Sequence, residues 1–284
     1  MHFSQRVAYM LSGLTGRFSQ HAVCPACGHR GGTVCDRKWF HILIECPACM
    51  LLYRFPVESP EAMSEFYNAG YSEPQATELP DDKKLNELLE TAFKGSEKDF
   101  TYHWSILRAL KVPIDGRVLD FGANWGYASW QFARAGFVVS SFEISKPMAA
   151  FGSKLGLTIH TDINEVGQDF DAIYSCHVLE HTPDPRASLL KQLSLVKPGG
   201  LVAAHTPNGS KSYRMNNFTS FHRTWGQAHP VLLSDSFVQR IAGSLPYIIT
   251  SDDRPEKLMD WDGVSQVRHP TDGPGFFFAI RARV

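Results

Sequence analysis

The sequence contains no apolar run approaching the ~20 residues that cross a bilayer, no internal repeat and no low-complexity tract. It has no Gly-x-x-x-x-Gly-Lys-Ser/Thr loop, which excludes a P-loop nucleotide hydrolase. It also lacks a surplus of either charge: the net charge is -1, whereas a nucleic-acid binder is more often basic overall. Cysteine is scarce, with six residues, and four of them form two Cys-x-x-Cys pairs. Such pairing argues against a secreted disulfide framework and for metal-bound thiolates in a reducing compartment, so the cytoplasm is the expected location. With 43% hydrophobic and 20% charged residues, the composition is that of an ordinary soluble protein. A chain of 284 residues suits one domain of usual size with a small appendage. The apolar stretch 7–14 is short and no clear small-residue cleavage site follows it. It reads as a docking segment or a frayed end rather than a signal peptide.

The charge is unevenly spread. Residues 1–54 carry six Lys and Arg against two acids, and residues 58–99 carry four lysines against eleven acids. Solvated faces are the simple reading of this split. It coincides with a change of organisation: a segment 1–20, a cysteine-bearing module 21–58, a helical linker or lid 59–112, and a larger domain 113–284. In the module, Cys24-x-x-Cys27 and Cys46-x-x-Cys49 are separated by 18 residues, a recognised zinc spacing. Two tight turns can aim four thiolates at one Zn²⁺ and close its tetrahedron, which makes the metal structural. A module of under 40 residues has too small a core of its own, so the metal should supply stability. In the linker, Leu85, Leu88, Leu89 and Phe93 recur at helical spacing after Asp81. Phe100, Trp104, Leu107 and Leu110 form a second stripe that stops at Pro113.

From Gly116 onward strands and helices alternate. Strands are predicted near 117–121, 137–142, 157–159, 170–176, 200–205, 246–250 and 276–281. Helices are predicted over 126–135, 147–155, 184–196 and 235–242. This pattern implies a Rossmann-like, mostly parallel α/β sheet covered on both faces. The first strand runs into Asp120-Phe121-Gly122-Ala123-Asn124-Trp125-Gly126, a glycine-bearing turn before a helix. Asn124 stands where a dinucleotide loop has its second glycine, and the loop carries no basic residue to hold phosphate. A cofactor with cationic groups and no phosphate fits better, and S-adenosylmethionine is such a cofactor, with Asp120 supplying a carboxylate. Glu143 ends the second strand and is placed to take both ribose hydroxyls, unless it is a solvated strand end. Asp162 follows the third strand, placed either for the adenine amino group or as a turn residue.

Val118-Leu119-Asp120-Phe121-Gly122, Phe142-Glu143-Ile144-Ser145, Phe170-Asp171-Ala172-Ile173 and His177-Val178-Leu179-Glu180-His181 resemble, in order, the class I methyltransferases. Lys197-Pro198-Gly199-Gly200-Leu201 and Thr206-Pro207-Asn208 continue the match. The resemblance covers about 113–284 and implies a seven-stranded sheet whose last strand is antiparallel. It places Gly122, Ala123, Asn124, Gly126, Ile144 and His177 around the cofactor. The Gly-x-Asn form resembles the sugar C-methyltransferases, which also carry an N-terminal zinc module. Residues 67–71, Tyr-Asn-Ala-Gly-Tyr, resemble the tyrosine-containing linker of such enzymes.

Methyl transfer requires alignment and, usually, a base for the acceptor's proton. Parallel sheets bind ligands at the carboxyl ends of their strands, and His177, Glu180 and His181 stand at the end of the fourth. The sugar C-methyltransferase resemblance makes His181 the base with Glu180 orienting it. A resemblance to ubiquinone-pathway O-methyltransferases instead suggests a divalent ion on His177, Glu180 and His181. A purely structural role for this stretch is the third reading. His205, His222 and His229 lie beyond the fifth strand, and His229 is the best further catalytic candidate. Arg214, Arg223 and Trp225 offer an acceptor lining. The expected function is methylation of a small polar acceptor, such as a sugar or nucleotide sugar. The alternative is an rRNA methyltransferase that uses the basic zinc module to contact RNA. Neither a nucleic acid nor a membrane is the expected partner.

Overall fold

A computed structural model of the chain describes residues 21–57, 78–252, 254 and 256–283, together with Gly13 and Gly16. Most of the segment 1–20 and the Tyr-containing linker at 67–71 lie outside the described residues. The cysteine-bearing part forms three antiparallel strands, β1 (Thr33–Lys38), β2 (His41–Glu45) and β3 (Leu52–Phe55). Among the described residues of the linker, two helices follow, α1 (Asp82–Glu90) and α2 (Thr101–Ala109). Asp81 caps α1 by accepting from the Lys84 amide at 2.7 Å, which satisfies one of the orphan donors at a helix start.

The larger domain then alternates: β4 (Arg117–Phe121), α3 (Tyr127–Arg134), β5 (Val138–Phe142), α4 (Lys146–Phe151), β6 (Ile159–His160), β7 (Phe170–Cys176), α5 (Pro185–Leu195) and β8 (Val196–Pro207). Two short helices, α6 (Lys211–Asn216) and α7 (Phe218–Thr224), lead to β9 (Val231–Leu232) and α8 (Asp235–Ala242). The domain closes with β10 (Tyr247–Ser251), α9 (Glu256–Met259), β11 (Gln266–Arg268) and β12 (Gly275–Arg281). The main sheet has the order β11-β10-β12-β8-β7-β4-β5-β6. The strands from β6 to β8 are parallel, and β12 is antiparallel to both β8 and β10. The seven strands expected from the sequence are all present. An eighth, β11, lies parallel to β10 at the edge; its three residues include one apolar side chain, too little for an alternating signal.

Alternation along the strands feeds two cores. Leu119, Phe276, Phe278 and Ile280 face one side, while Val118, Phe277 and Ala279 face the other under α2 and Trp261, as a period of two dictates. The cysteine-bearing strands do not form a separate core. Cys24, Cys46, Leu51 and Tyr53 pack in one cluster with Leu233, Phe237 and Phe276. Strand β9 also pairs with β3, Leu52 opposite Leu232 and Tyr53 opposite Val231. The small sheet is thus built partly from the larger domain. In addition, α1 lays Leu85 and Leu88 with Phe93 over Trp125, so the linker covers the turn after β4.

Candidate active site

The two Cys-x-x-Cys turns have the same backbone wiring. The Gly28 amide donates to the Cys24 carbonyl and the Met50 amide to the Cys46 carbonyl, both at 2.9 Å. Cys24 and Cys46 in turn donate to the carbonyls of His29 and Leu51. The four sulfurs converge, with Cys24 Sγ 3.5 Å from Cys49 Sγ and Cys27 Sγ 3.5 Å from Cys46 Sγ. All four lie within 4.8 Å of one another. Four thiolates at ~2.3 Å around a tetrahedral Zn²⁺ would sit about 3.8 Å apart, so the donor set and its spacing fit zinc.

The turn after β4 is a run of tight backbone. The amides of Gly122 and Ala123 both donate to the Phe142 carbonyl, at 2.8 and 2.9 Å. Gly122, Asn124 and Gly126 have φ of 87°, 53° and 92°, the left-handed region that glycine enters freely and asparagine tolerates. A Cβ on Gly122 would stand 2.4 Å from Val178 Cγ2. Asn124 therefore fits a left-handed position that glycine would also accept, and its amide donates to Glu143 Oε2 at 3.0 Å. Ser145 donates to the other oxygen, Oε1, at 2.8 Å. Glu143 is thus fixed by two backbone amides beside the turn, with Ile144 exposed next to it. Burial raises the Glu143 carboxyl against these two hydrogen bonds.

Asp120 lies deeper than its position in the loop suggests. It is 5% exposed and accepts from the Ser129 hydroxyl at 2.6 Å. Ser141 donates to Ser129 at 2.8 Å. Burial pushes the Asp120 carboxyl up to about 7, partly offset by Ser129 and reinforced by the charge of Glu143. Two desolvated carboxylates flanking one turn make a cradle that a cation would relieve, which suits the ammonium and sulfonium of S-adenosylmethionine. Asp162 is exposed, and its Oδ1 accepts from the amide and the side chain of Asn164. That geometry is a turn; the structure records no contact from it to Glu143.

Four ionisable side chains gather past the end of β7. Glu180 is fully buried and takes hydrogen bonds from His177 Nδ1 at 3.0 Å and from the Thr206 hydroxyl at 3.3 Å. Burial alone would raise it, but the His177 hydrogen bond and the charges of His181, His177 and His229 hold it down at about 2. The expectation from sequence is that Glu180 orients His181. Glu180 accepts from His177 and Thr206, and one of its oxygens lies within 4.8 Å of a ring nitrogen of His181. The Ala228 carbonyl also orients His181, 2.8 Å from Nδ1. His229 is oriented in the same manner by the Thr224 carbonyl, 2.7 Å from Nδ1. A carbonyl can only accept, so Nδ1 of each ring carries a proton, and Nε2 is the nitrogen that a neutral ring leaves free to act as base. The two rings meet edge to face with centroids 4.7 Å apart. One donor atom from each of Glu180, His181 and His229 lies within 4.8 Å of the others.

His229 reaches this place because the small sheet holds its loop. Arg54 donates from its amide to Pro230 at 2.8 Å and from Nη1 to Gly226 at 2.7 Å. Lys38 reaches the Trp225 carbonyl, and the Ser234 hydroxyl donates to Met50 at 2.8 Å. Asp36 accepts from Trp225 Nε1 at 2.7 Å and faces His222 Nδ1 at 2.8 Å. Arg214 is likewise taken up by Glu45 and Cys35, so it and Trp225 knit the small sheet to the loop. Neighbours of these side chains that sequence reasoning did not single out as site residues are Thr206, Asp252 and His103. Burial, with His205 and His177 nearby, pushes His103 down to about 3, and its Nδ1 lies 2.6 Å from the Tyr174 hydroxyl. Only the helical stripe around His103 was visible in the sequence.

Residues 81–262 match a family described as "Methyltransferase domain". Ubiquinone biosynthesis O-methyltransferase of Cereibacter sphaeroides is 34% identical over 116 residues, which is 37% of this chain and 47% of that protein. The enzyme of the same description from Caulobacter vibrioides is 31% identical over 112 residues, covering 35% and 44%. The chain thus spans about half the length of the curated relatives it matches. Magnesium protoporphyrin IX methyltransferase from Synechocystis, solved with bound SAH, superposes with a TM-score of 0.51 at 13% identity, covering 79% of this chain and all of that one. At that identity the likeness is one of fold.

Proposed function

The chain belongs to the methyltransferase-domain family, and from that premise we propose that it transfers a methyl group from S-adenosylmethionine to a small polar acceptor, with His181 as the base. The observation that carries this reading is the alignment of two sites at the carboxyl ends of adjacent strands. Asn124 and Glu143 join across the end of β4 and β5 at 3.0 Å, and Glu180, His181 and His229 gather past β7. When bound, the cofactor would supply an electrophilic methyl on its sulfonium. Glu143 would hold the ribose, and Gly122, Ala123 and Gly126 would let the backbone approach it. Gly122 and Ile144 would border the adenosine, with His177 toward the histidines. His181 Nε2 would take the proton of the acceptor's attacking hydroxyl or amine. The buried Glu180 carboxylate offsets the imidazolium that results. The names of the curated relatives favour a hydroxyl as the acceptor group. The sugar reading rests on the zinc module and on Asn124, but the φ of Asn124 accounts for that residue without reference to the acceptor.

His181→Ala should cut turnover ~10²–10⁴-fold with cofactor affinity nearly unchanged, measured with labelled S-adenosylmethionine and a panel of hydroxylated metabolites. Near-normal turnover would remove the base assignment and move attention to His229. A second reading has its own support. His181 and His229 both donate Nδ1–H to a backbone carbonyl, which is how metal-ligating histidines are held. In that reading Glu180, His181 and His229 bind a divalent ion. A chelator would then abolish wild-type activity while the four-cysteine zinc stays in place.

A further inference from the structure

A different set of donors converges on the neighbouring strand ends. Strands β7 and β8 are parallel, and Cys176 is in register with His205, so their side chains share a face. Cys176 Sγ lies 3.7 Å from His205 Nδ1. The His177 ring stands edge to face on His205 with centroids 4.7 Å apart. One donor atom from each of Cys176, His177 and His205 lies within 4.8 Å of the others. A sulfur at ~2.3 Å and a ring nitrogen at ~2.0–2.1 Å from a tetrahedral ion are about 3.6 Å apart, close to the separation found.

The surroundings have the form of a metal site's outer shell. His177 is oriented through Nδ1 by Glu180 at 3.0 Å, which assigns ligation to Nε2. His205 presents Nε2 to Asp252 Oδ2 at 3.6 Å, which assigns ligation to the Nδ1 that faces Cys176. Each imidazole thus has a carboxylate behind it, as ligating histidines usually do. His205 Nε2 and Asp252 Oδ1 are buried with no hydrogen-bond partner among the described residues. Orphaned buried polar atoms are costly, and an ion drawing His205 toward a donating tautomer would give Asp252 a proton to accept. Phe277 stacks on His205 at 4.4 Å between centroids and closes its other face.

We propose that Cys176, His177 and His205 bind a zinc-class divalent ion in a three-ligand site distinct from the four-cysteine cluster. A thiolate with two imidazoles selects zinc or copper over magnesium or calcium. Binding releases the thiol proton of Cys176 to solvent. Three protein ligands leave the fourth position open. At the carboxyl ends of β7 and β8 that position takes water or an ionisable oxygen, nitrogen or sulfur of a small acceptor.

The test is metal content of the full chain, purified without chelator and supplied with Zn²⁺, and its spectrum after Co²⁺ exchange. Wild type should hold one equivalent more than Cys176→Ala, His177→Ala and His205→Gln. The Co²⁺ difference spectrum between wild type and Cys176→Ala should contain a thiolate-to-cobalt band. Cys24→Ser should remove the other equivalent and leave this band. His177 is half exposed, so its variant reports on the site even if a change at half-buried Cys176 unfolds the chain. Equal metal content in wild type and His177→Ala would overturn the proposal and reduce the Cys176–His205 contact to a thiol hydrogen bond. Loss of the additional equivalent in His229→Ala with retention in Cys176→Ala would also overturn it, placing the ion on Glu180, His181 and His229.

Discussion

Asp120→Asn should flatten the pH dependence of stability in the cofactor-free protein. In the folded chain the Asp120 carboxyl is raised from 3.8 to about 7, because it is buried beneath the cofactor turn and Glu143 adds like charge, which the hydrogen bonds from the hydroxyl and amide of Ser129 only partly offset. A carboxyl raised on folding favours the folded state most below its unfolded value and loses that contribution as pH rises through its folded value. The loss therefore runs from about pH 4 to about pH 7. At about 1.4 kcal/mol for each tenfold change in proton affinity, it amounts to roughly 4 kcal/mol at most. The Asn side chain keeps an oxygen for Ser129 and cannot ionise, so the variant lacks this slope. Urea unfolding of both proteins at several pH values from 5 to 8, without cofactor, gives the difference directly. Subtracting the curves cancels the contribution of the buried histidines. The variant should gain on wild type as pH rises to 7 and then run parallel to it. Saturating S-adenosylmethionine should shrink the gain by bringing a cation to the cradle. A constant difference across the range would show that Asp120 is ionised throughout and that its burial does not govern its proton.

Gly122→Ala places a Cβ 2.4 Å from Val178 Cγ2 at a φ of 87°; the strain alone should cost about 1–3 kcal/mol, read by denaturation, and adding Val178→Ala should recover only the steric part. Asn124→Gly should leave stability within about 1 kcal/mol of wild type, whereas Asn124→Val should lose more, since a β-branched residue resists a φ of 53°. Cys24→Ser should release zinc and lower the melting temperature of the whole chain in a single transition, because the cysteine strands share the main core. It should also depress turnover by loosening the loop that carries His229. A separate early transition with normal turnover would contradict that coupling.

The sequence made the parallel sheet legible because its strands are runs of Val, Leu, Ile and Phe between glycine-bearing turns. The four-cysteine cluster was legible from spacing alone. Strand β11 was not, since Gln266 and Arg268 surround a single valine. Strand β9 was not either: two residues become a strand only because Leu52 and Tyr53 offer them an edge. That pairing is what brings His229 to His181, so the site was only half visible. The nearness of Glu180 to the histidines followed from one short segment, but its bonds to His177 and Thr206 are set by side-chain placement that the segment does not display. The pairing of Cys176 with His205 depends on strand register, 29 residues apart in sequence.

Calorimetric titration of S-adenosylmethionine into the full chain and into Glu143→Ala tests the central claim most directly. Glu143 sits between the amides of Asn124 and Ser145, and the proposal gives it the ribose. Wild type should bind S-adenosylmethionine at one site and show no heat with NAD or ATP. Glu143→Ala should bind it more weakly by about 2–4 kcal/mol, the value of two charge-assisted hydrogen bonds. No binding to wild type, or equal affinity in the two proteins, would contradict the account.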